Sequence, residues 1–486
     1  MRQVEIIYGP PGTGKTTALL NIVETALARG VKPERIAYLA FTRKAANEAI
    51  ERAMAKFNLD EDRFPYFRTL HSMAFKQLGI RRDEVMTDSH FKNLGKLLGV
   101  QFKGIYDEDL GLHLGDGLGD KCARVDSLAR INIRPIAEQY AFTPMNDLTL
   151  HAVKQFSNAL QHYKKERGLF DFTDMLENCQ SALDVDICIF DEAQDLSSLQ
   201  FSMAIKLSKL ASEVYIAGDD DQAIFRWAGA DVKKFLNLNG SKRVLPMSYR
   251  IPASVHKLAN DIASRIKHRV PKHWSPREEK GNVEYVVDEH QINYKGAGTW
   301  MLLCRSKYLL NRFKKAVRLQ GYAYTINGKS SLESDATKAI EDWEKIRKGK
   351  ELSQHSTSNL SHFIYKKIKV KRTTPSKFED LGLPEGSENK DWMEVLRGIP
   401  SDEREYIRSC LRNGEKFSDK PRITISTIHQ SKGGEADNVV LITDMGRLSW
   451  EALGTDEEQR VWYVAITRTR KNLFIVRPRG LRHFAI

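Results

Sequence analysis

The sequence predicts an α/β fold with parallel sheets, and two stretches carry that prediction. "VEIIYGPPGTGKTT" is a short apolar segment, a glycine-rich turn and the start of a helix near Lys15. "VDICIFDEAQD" is a second apolar segment, predicted as a buried strand over residues 185–190 and followed at once by two acids. Apolar strands that alternate with helices are typical of a parallel sheet covered on both faces.

The glycine-rich turn fits the phosphate-binding pattern G-x-x-x-x-G-K-[ST]. Backbone N–H groups of such a loop face phosphate oxygens, and the helix N-terminus adds partial positive charge. Lys15 would reach the β- and γ-phosphates, and Thr16 would ligate Mg²⁺. A chance lysine in a glycine-rich turn is the weaker reading, because the strand–loop–helix context is present. The predicted nucleotide contacts are Gly9, Pro10, Gly12, Thr13, Gly14, Lys15, Thr16 and Thr17.

Asp191 and Glu192 follow the second predicted strand. Taken alone, two adjacent acids after a strand would be a solvated turn. Beside a phosphate-binding loop they supply what phosphoryl transfer requires, because positioning and charge carry most of that catalysis. We expect Asp191 to hold Mg²⁺ through water and Glu192 to polarise the attacking water.

Composition limits the class of protein. The chain has 486 residues, 41% apolar and 29% charged, which is ordinary globular composition. No apolar run approaches the ~20 residues that cross a bilayer, and the start lacks a signal peptide, so we expect a cytoplasmic protein without a membrane partner. Five scattered cysteines without a C-x-x-C pair suggest neither zinc nor disulfides. The net charge of +13 favours a polyanion partner.

Nine motifs then occur in a fixed order: "GPPGTGKTT", "AFTRKAANEA", "TLHSMAF", "GLFDF", "FDEAQD", "GDDDQAIFRWAGA", "SYR", "TIHQSKGGEADNVV" and "QRVWYVAITRTR". In this order they resemble the motifs of UvrD/Rep/PcrA-type helicases of superfamily 1A, from about residue 4 to residue 476. The chain resembles a compact member of the family, of a size that suits a phage. The resemblance implies two RecA-like P-loop NTPase cores with parallel sheets, each interrupted by an insertion.

The resemblance also implies roles at the nucleotide. Gln222 would sense the γ-phosphate, and Asp219 would belong to the surroundings of Mg²⁺. Tyr249 would stack on adenine, and Glu435 would lie near the ribose. Two arginines of the second core would hold the γ-phosphate, although each taken singly is an ordinary surface residue. The catalytic residues implied are Lys15, Asp191, Glu192, Gln222, Arg250 and Arg468, with Thr16 and Asp191 at the metal.

The resemblance implies single-stranded DNA as the substrate. Stacking on aromatic side chains agrees with this, because it binds any base. Phe225 and Trp227 would be stacking platforms, although their i, i+2 spacing also fits core residues. His71 also has the alternative of a core histidine. The basic residue in this loop is Arg226, where the family commonly has a glycine. The implied DNA contacts are Phe41, Thr42, Thr69, His71, Phe225, Trp227, Thr427 and His429.

Domain bounds follow from the motifs. The first core would take residues 1–84 and 183–245, and the second core residues 246–349 and 421–486. Residues 85–182 would be a mainly helical insertion, in which the glycine-rich residues 104–120 are predicted as loop. Residues 350–420 would be a small basic insertion with the run "YKKIKVKRTT", predicted to contact duplex or strand.

The function implied is an ATP-dependent 3′→5′ DNA helicase that uses ATP and Mg²⁺. Its expected partners are single-stranded DNA, junctions of single and double strands, and replication or repair proteins. We expect a monomer in isolation, in a bacterial or phage-infected cell. Two alternatives stay open: a translocase that displaces proteins from single strands with little unwinding, and a nucleotide-dependent binding module that does not hydrolyse.

Overall fold

A computed structural model describes residues 2–108, 110–143, 145–179, 181–364 and 376–486. The chain forms two compact units. The first contains Met1–Ile251, Asn260–Glu278 and Thr455–Tyr463, and the second contains Pro252–Ala259, Glu279–Gly454 and Val464–Ile486. The first core was predicted to end at residue 245, whereas the first unit continues to Ile251 and includes two later segments. Those segments pack on the loop that follows the strand Glu213–Gly218. The described helices include none that is long and apolar enough to cross a membrane.

The first unit is built on a six-stranded sheet in the order β3-β2-β6-β7-β1-β8, with every neighbouring pair parallel. Because the strands are parallel, the loops that follow them leave from one edge of the sheet, where ligands bind in such folds. The strands of this unit, including a separate hairpin, are β1 (Gln3–Tyr8), β2 (Ile36–Ala40), β3 (Phe67–Thr69), β4 (Ile105–Asp107), β5 (Leu112–Leu114), β6 (Ile187–Asp191), β7 (Glu213–Gly218) and β8 (Ser241–Val244).

Helices cover this sheet, and strands such as β2 and β6 are buried along their whole length. The helices in the first half of the chain are α1 (Lys15–Ala28), α2 (Arg43–Phe57), α3 (Leu70–Leu78), α4 (Asp88–Leu98), α5 (Leu118–Ile131), α6 (Ile136–Phe142), α7 (Leu150–Arg167), α8 (Phe172–Asn178), α9 (Ser198–Leu207) and α10 (Val232–Leu236). Two later helices, α11 (Ala253–Ala263) and α18 (Asp456–Ile466), each contribute residues to both units.

Helices α4 to α8 and the hairpin β4–β5 occupy the region predicted as the first insertion, and several of them share a core of their own around Phe91 and Phe156. The prediction that residues 104–120 form only loop is wrong, since they contain the hairpin and the start of α5. The carboxylate of Asp120 orders this stretch, because it accepts backbone N–H groups of Lys103, Gly104 and Gly117 at 2.8–3.2 Å.

The second unit contains a seven-stranded sheet in the order β12-β11-β13-β10-β14-β15-β9, parallel except for the pair β11–β12. The prediction of an α/β fold with parallel sheets is therefore confirmed. The strands are β9 (Asn282–Val286), β10 (Trp300–Cys304), β11 (Tyr324–Ile326), β12 (Lys329–Ser330), β13 (Ile423–Thr427), β14 (Ala436–Ile442) and β15 (Thr469–Val476). The helices are α12 (Leu310–Leu319), α13 (Asp335–Ile346), α14 (Gln354–Phe363), α15 (Trp392–Val395), α16 (Ser401–Arg412) and α17 (Arg447–Glu451).

The described part of residues 350–420 is largely helical. Side chains such as Leu360 and Ile407 belong to the same buried cluster as Leu302 of the central strand β10. This part of the chain therefore completes the core of the second unit. The basic run at residues 365–374 lies outside the described residues.

Candidate nucleotide and DNA sites

The loop after β1 has the conformation that the phosphate-binding pattern requires. Gly12 and Gly14 have φ of 71° and 73°, in the left-handed region, and α1 begins immediately afterwards at Lys15. A Cβ at Gly9 would lie 2.9 Å from Cδ of Lys15, so the lysine side chain passes directly over this glycine. The Thr13 hydroxyl closes the turn by donating to the Pro10 carbonyl at 2.8 Å.

Lys15 points at the two acids that follow β6. Its Nζ donates to Oε1 of Glu192 at 2.5 Å and lies 3.7 Å from Oδ1 of Asp191. Burial disfavours the charged ammonium, but the carboxylates of Glu192 and Asp191 outweigh it and raise the pKa of Lys15 above its ordinary value. The sequence prediction that these three residues meet is therefore matched by their geometry.

Asp191 is buried, and burial raises the pKa of its carboxyl, opposed by the charge of Lys15. Its two oxygens accept the hydroxyl of Tyr38 at 2.7 Å and the N–H of Glu192 at 2.8 Å. A second cation beside this carboxylate would offset its burial. The half-buried Thr16 side chain shows no hydrogen bond within the described part of the chain. Oxygen donors of this kind suit Mg²⁺, so Thr16 and Asp191 fit the predicted metal.

The backbone turns sharply at Glu192, which has φ of 55°. A non-glycine residue in the left-handed region is uncommon, and such residues cluster at functional sites. Here the turn follows directly after β6, whose last residue is Asp191, and it leaves the carboxylate of Glu192 against Lys15.

Gln194 is a site residue that sequence reasoning did not select. Its Nε2 donates to Oε2 of Glu192 at 2.5 Å, and its Oε1 accepts the N–H of Asp219 at 2.9 Å. Asp219 in turn accepts Nε2 of Gln222 at 2.8 Å. The signal was present in "FDEAQD", where the glutamine stands two residues after the second acid.

The three aspartates that follow β7 are completely buried, and one lysine forms an ion pair with each of them. Nζ of Lys272 lies 3.1, 2.5 and 2.9 Å from carboxylate oxygens of Asp219, Asp220 and Asp221. Arg269 forms a further ion pair with Asp221 at 2.6 Å. The ion partner that the structure gives Asp219 is thus Lys272, and its place beside Mg²⁺ stays a prediction.

The "SYR" segment packs against the phosphate-binding loop within the first unit. The N–H of Tyr249 donates to the Gly12 carbonyl at 2.8 Å, and the Ser248 hydroxyl donates to the Pro11 carbonyl at 2.7 Å. A Cβ at Gly12 would lie only 2.3 Å from Cβ of Arg250. Tyr249 and Arg250 thus lie beside the phosphate-binding loop, and the Tyr249 side chain is exposed. Arg250 was predicted to belong to the second core but lies in the first unit, and the contacts of both residues with nucleotide stay predictions.

Arg468 and Glu435 belong to the second unit. The Arg468 guanidinium is buried and donates to the carbonyls of Val464 and Gly434 at 3.0 and 3.1 Å. Glu435 is exposed and forms an ion pair with Arg470 at 3.1 Å. Their contacts with nucleotide stay predictions.

The predicted stacking residues of the first unit differ in exposure. Phe41 is buried and its ring centroid lies 6.1 Å from that of Phe225, which is half-buried on the core. Trp227 is 45% exposed, with its ring centroid 6.4 Å from that of Phe225. A core position therefore describes Phe41 best, whereas Trp227 presents its ring to solvent.

Three further predicted DNA contacts lie at helix starts. The hydroxyls of Thr42 and Thr69 cap α2 and α3 by accepting N–H groups of the third residue on. His71 is half-buried, with its ring centroid 5.7 Å from that of Phe172. Burial, assisted by the charge of Arg43, lowers the pKa of His71 to about 4. This histidine is therefore neutral near pH 7.

In the second unit, Thr427 ends β13 and its hydroxyl donates to Oε1 of Gln430 at 3.0 Å. His429 follows two residues later and is half-buried. Burial and the charges of Arg305 and Lys432 lower the pKa of His429 to about 3. Both residues therefore lie at the carboxyl end of β13, a parallel strand inside this sheet.

A strand with a phosphate-binding loop, and paired acids at the end of another parallel strand of the same sheet, define the class of P-loop nucleotide-binding proteins. Comparison with known families narrows this class. The family model of the UvrD/REP helicase N-terminal domain matches residues 1–243, and that of the UvrD-like helicase C-terminal domain matches residues 145–479. The chain belongs to the UvrD/REP helicase family.

Individual relatives agree with this assignment at low identity. The chain is 26% identical to "ATP-dependent DNA helicase PcrA" of Leuconostoc citreum over 60% of this chain and 40% of the relative. Identity is 25% with the protein of the same name in Bacillus subtilis, over 59% of this chain and 41% of the relative. The chain is 24% identical to "Probable DNA helicase II homolog" of Rickettsia conorii, over 99% of this chain and 91% of the relative. The chain thus spans less than half of the first two relatives.

Proposed function

We propose that the protein is an ATP-dependent DNA helicase that moves 3′→5′ along single-stranded DNA and separates duplex. The observation that carries the proposal is that the first unit joins a phosphate-binding loop, a lysine paired with two acids, and an exposed tryptophan eight residues beyond the buried Asp219. Membership of the UvrD/REP helicase family supports the choice of DNA as the partner.

The nucleotide site has the groups that γ-phosphoryl transfer needs. Phosphate oxygens would compete with Glu192 for the ammonium of Lys15, which leaves the Glu192 carboxylate able to orient water. Mg²⁺, held by Thr16 and Asp191, would neutralise the charge that develops on the phosphates. Tyr249, exposed beside the loop, would stack on the base of the nucleotide.

In the first unit, the strand would lie on residues at the carboxyl edge of the sheet. Trp227 offers a face for a base, and base stacking contributes ~1–3 kcal/mol without selecting sequence. The helix starts capped by Thr42 and Thr69 offer N–H groups and partial positive charge to phosphates. The net charge of +13 favours the same partner.

The first test is ATP hydrolysis with and without single-stranded DNA. We expect strong stimulation by the strand and loss of turnover in Lys15→Ala, with strand binding still measurable. Lys32→Ala, which changes an exposed lysine of the same unit, is the control. Normal turnover in Lys15→Ala would refute the assignment of the site.

The second test is strand separation on duplexes with a 3′ or a 5′ single-stranded tail. We expect separation of the 3′-tailed duplex alone. Stimulated hydrolysis without separation would identify a translocase that does not unwind, and nucleotide binding without hydrolysis would identify a binding module. Separation of the 5′-tailed duplex alone would reverse the proposed direction.

A further inference from the structure

We propose that Gln194 is a positioning residue that couples strand binding to hydrolysis, by joining Glu192 to the loop that carries Gln222 and Trp227. This inference rests on the proposed function, since it concerns how that activity responds to DNA. The link is a continuous series of hydrogen bonds inside the first unit, from the carboxylate of Glu192 through Gln194 and Asp219 to the amide of Gln222.

The orientation of the Gln194 amide is determined by its partners, which also include the Asp195 carboxylate, an acceptor of Nε2 at 3.2 Å. A carboxylate can only accept and a backbone N–H can only donate, so Nε2 must face Glu192 and Oε1 must face Asp219. The side chain is completely buried. A Cβ at Gly218 would lie 2.5 Å from Oε1 of Gln194, so glycine is needed there to admit the amide. A shift at either end must therefore displace the other.

Asp219 passes the position of Gln194 on to the loop. Its carbonyl accepts the N–H of Gln222 at 2.9 Å, and its carboxylate accepts the side-chain amide of the same residue at 2.8 Å. Gln222 is thus held at two points by one residue. The short helical turn at Asp220–Gln222 leads directly to Phe225 and Trp227.

Other contacts also hold the loop Asp219–Asp221 in place. Lys272 contacts all three aspartates, and Arg460 donates to the Asp220 carbonyl at 2.7 Å. A base that stacks on Trp227 would press on a loop held by these contacts. The hydrogen bonds through Asp219 and Gln194 would carry the resulting shift toward Glu192.

Coupling of this kind has a thermodynamic signature. If nucleotide changes the affinity for the strand by a given factor, the strand must change the affinity for nucleotide by the same factor, commonly ~5–150-fold. A residue that only supports packing would alter stability and leave this factor unchanged. The coupling factor therefore separates a positioning role from a structural one.

The experiment compares the wild type with Gln194→Met, which keeps length and volume but removes all three hydrogen bonds of the side-chain amide. The matched control is Gln139→Met, since Gln139 is also a buried glutamine, bonded to Asn132 and Thr143 in the first insertion. Dissociation constants of a labelled oligothymidine are measured with and without a non-hydrolysable ATP analogue, and those of the analogue with and without the oligonucleotide.

We expect wild type and Gln139→Met to share a coupling factor of at least about fivefold, within the usual range of such couplings. Gln194→Met should bring the factor close to 1 while both ligands still bind. The ratio of strand-stimulated to basal hydrolysis should fall in parallel. An unchanged factor in Gln194→Met would overturn the inference.

A second variant guards against loss of folding. Gln194→Glu keeps an acceptor for the N–H of Asp219 but places a carboxylate where Glu192 needs a donor, so it should also lose coupling. If both variants melt far below Gln139→Met, Gln194 serves stability and the inference is overturned. Failure of the proposed function would look different, because the wild type itself would show no response to the strand.

Discussion

Replacement of Lys272 by methionine should destabilise the first unit strongly. The substitution keeps most of the side-chain volume and removes an ammonium that lies within 3.1 Å of three buried carboxylates. After it, Asp219 and Asp220 lose the one cationic side chain that pairs with them among the described residues, and Asp221 retains Arg269. Removing one partner of a buried ion pair costs about 3–5 kcal/mol, because the remaining charge stays buried.

The size of the effect can be followed by calorimetry. A change of 1 kcal/mol shifts the melting temperature by about 2–4 °C in a domain of ~150–250 residues, so we expect the transition of the first unit to fall by roughly 6–20 °C. Lys267→Met is the matched control, because Lys267 is exposed on the same segment. A shift of Lys272→Met no larger than that of Lys267→Met would refute the reasoning.

The pH dependence gives an independent check on the cause. Without the ammonium, the buried carboxylates should have pKa values above those of the unfolded chain. The folded variant then binds more protons than the unfolded variant, so its stability falls as pH rises through that range. The deficit relative to wild type should therefore be smaller at pH 5 than at pH 8. An equal deficit at both would point to packing instead of charge.

Three further predictions concern single residues. Gly12→Ala should abolish nucleotide binding in a titration with labelled nucleotide, because φ is 71° and the new Cβ would lie 2.3 Å from Cβ of Arg250. Gly30→Ala is the control, because φ is 85° there but no atom lies within 4 Å of the new Cβ. Trp227→Ala should weaken strand binding by ~1–3 kcal/mol in fluorescence anisotropy, whereas Trp450→Ala, also exposed, should not. Burial lowers the pKa of His113 to about 4, so urea unfolding should show stability falling as pH drops from ~6.5 toward 4, because the unfolded chain takes up the proton. His113→Phe should flatten that dependence, and an unchanged slope would assign it to other groups.

The sequence was sufficient to predict the site residues that lie within a single motif, or in motifs whose order along the chain is known. Lys15 and the acids after β6 were predicted because each stands at a recognisable strand–loop junction. The α/β class followed from the same junctions. Their meeting depends only on parallel strands that end at one edge of a sheet.

The parts that were not predicted depend on strand order and on distant packing. Gln194 reaches Asp219 because β6 and β7 are neighbours in the sheet, and sequence spacing alone does not reveal that. Lys272 stands about fifty residues beyond the aspartates, outside any motif that was recognised. Phe41 was predicted to contact DNA from its motif alone, whereas its burial comes from packing against Phe225 and the rest of the core.

The first unit is assembled from three separate stretches of chain, the last of which ends at Tyr463. During synthesis the aspartates after β7 therefore leave the ribosome well before Lys272, and Arg460 follows much later. A nascent chain that ends near residue 251 carries this acidic loop without the cations that neutralise it. Chains emerge at about 5–20 residues per second, so the loop would wait on the order of seconds for Lys272 and tens of seconds for Arg460. Nucleotide-binding competence should thus be acquired only after the segment Thr455–Tyr463 has been made.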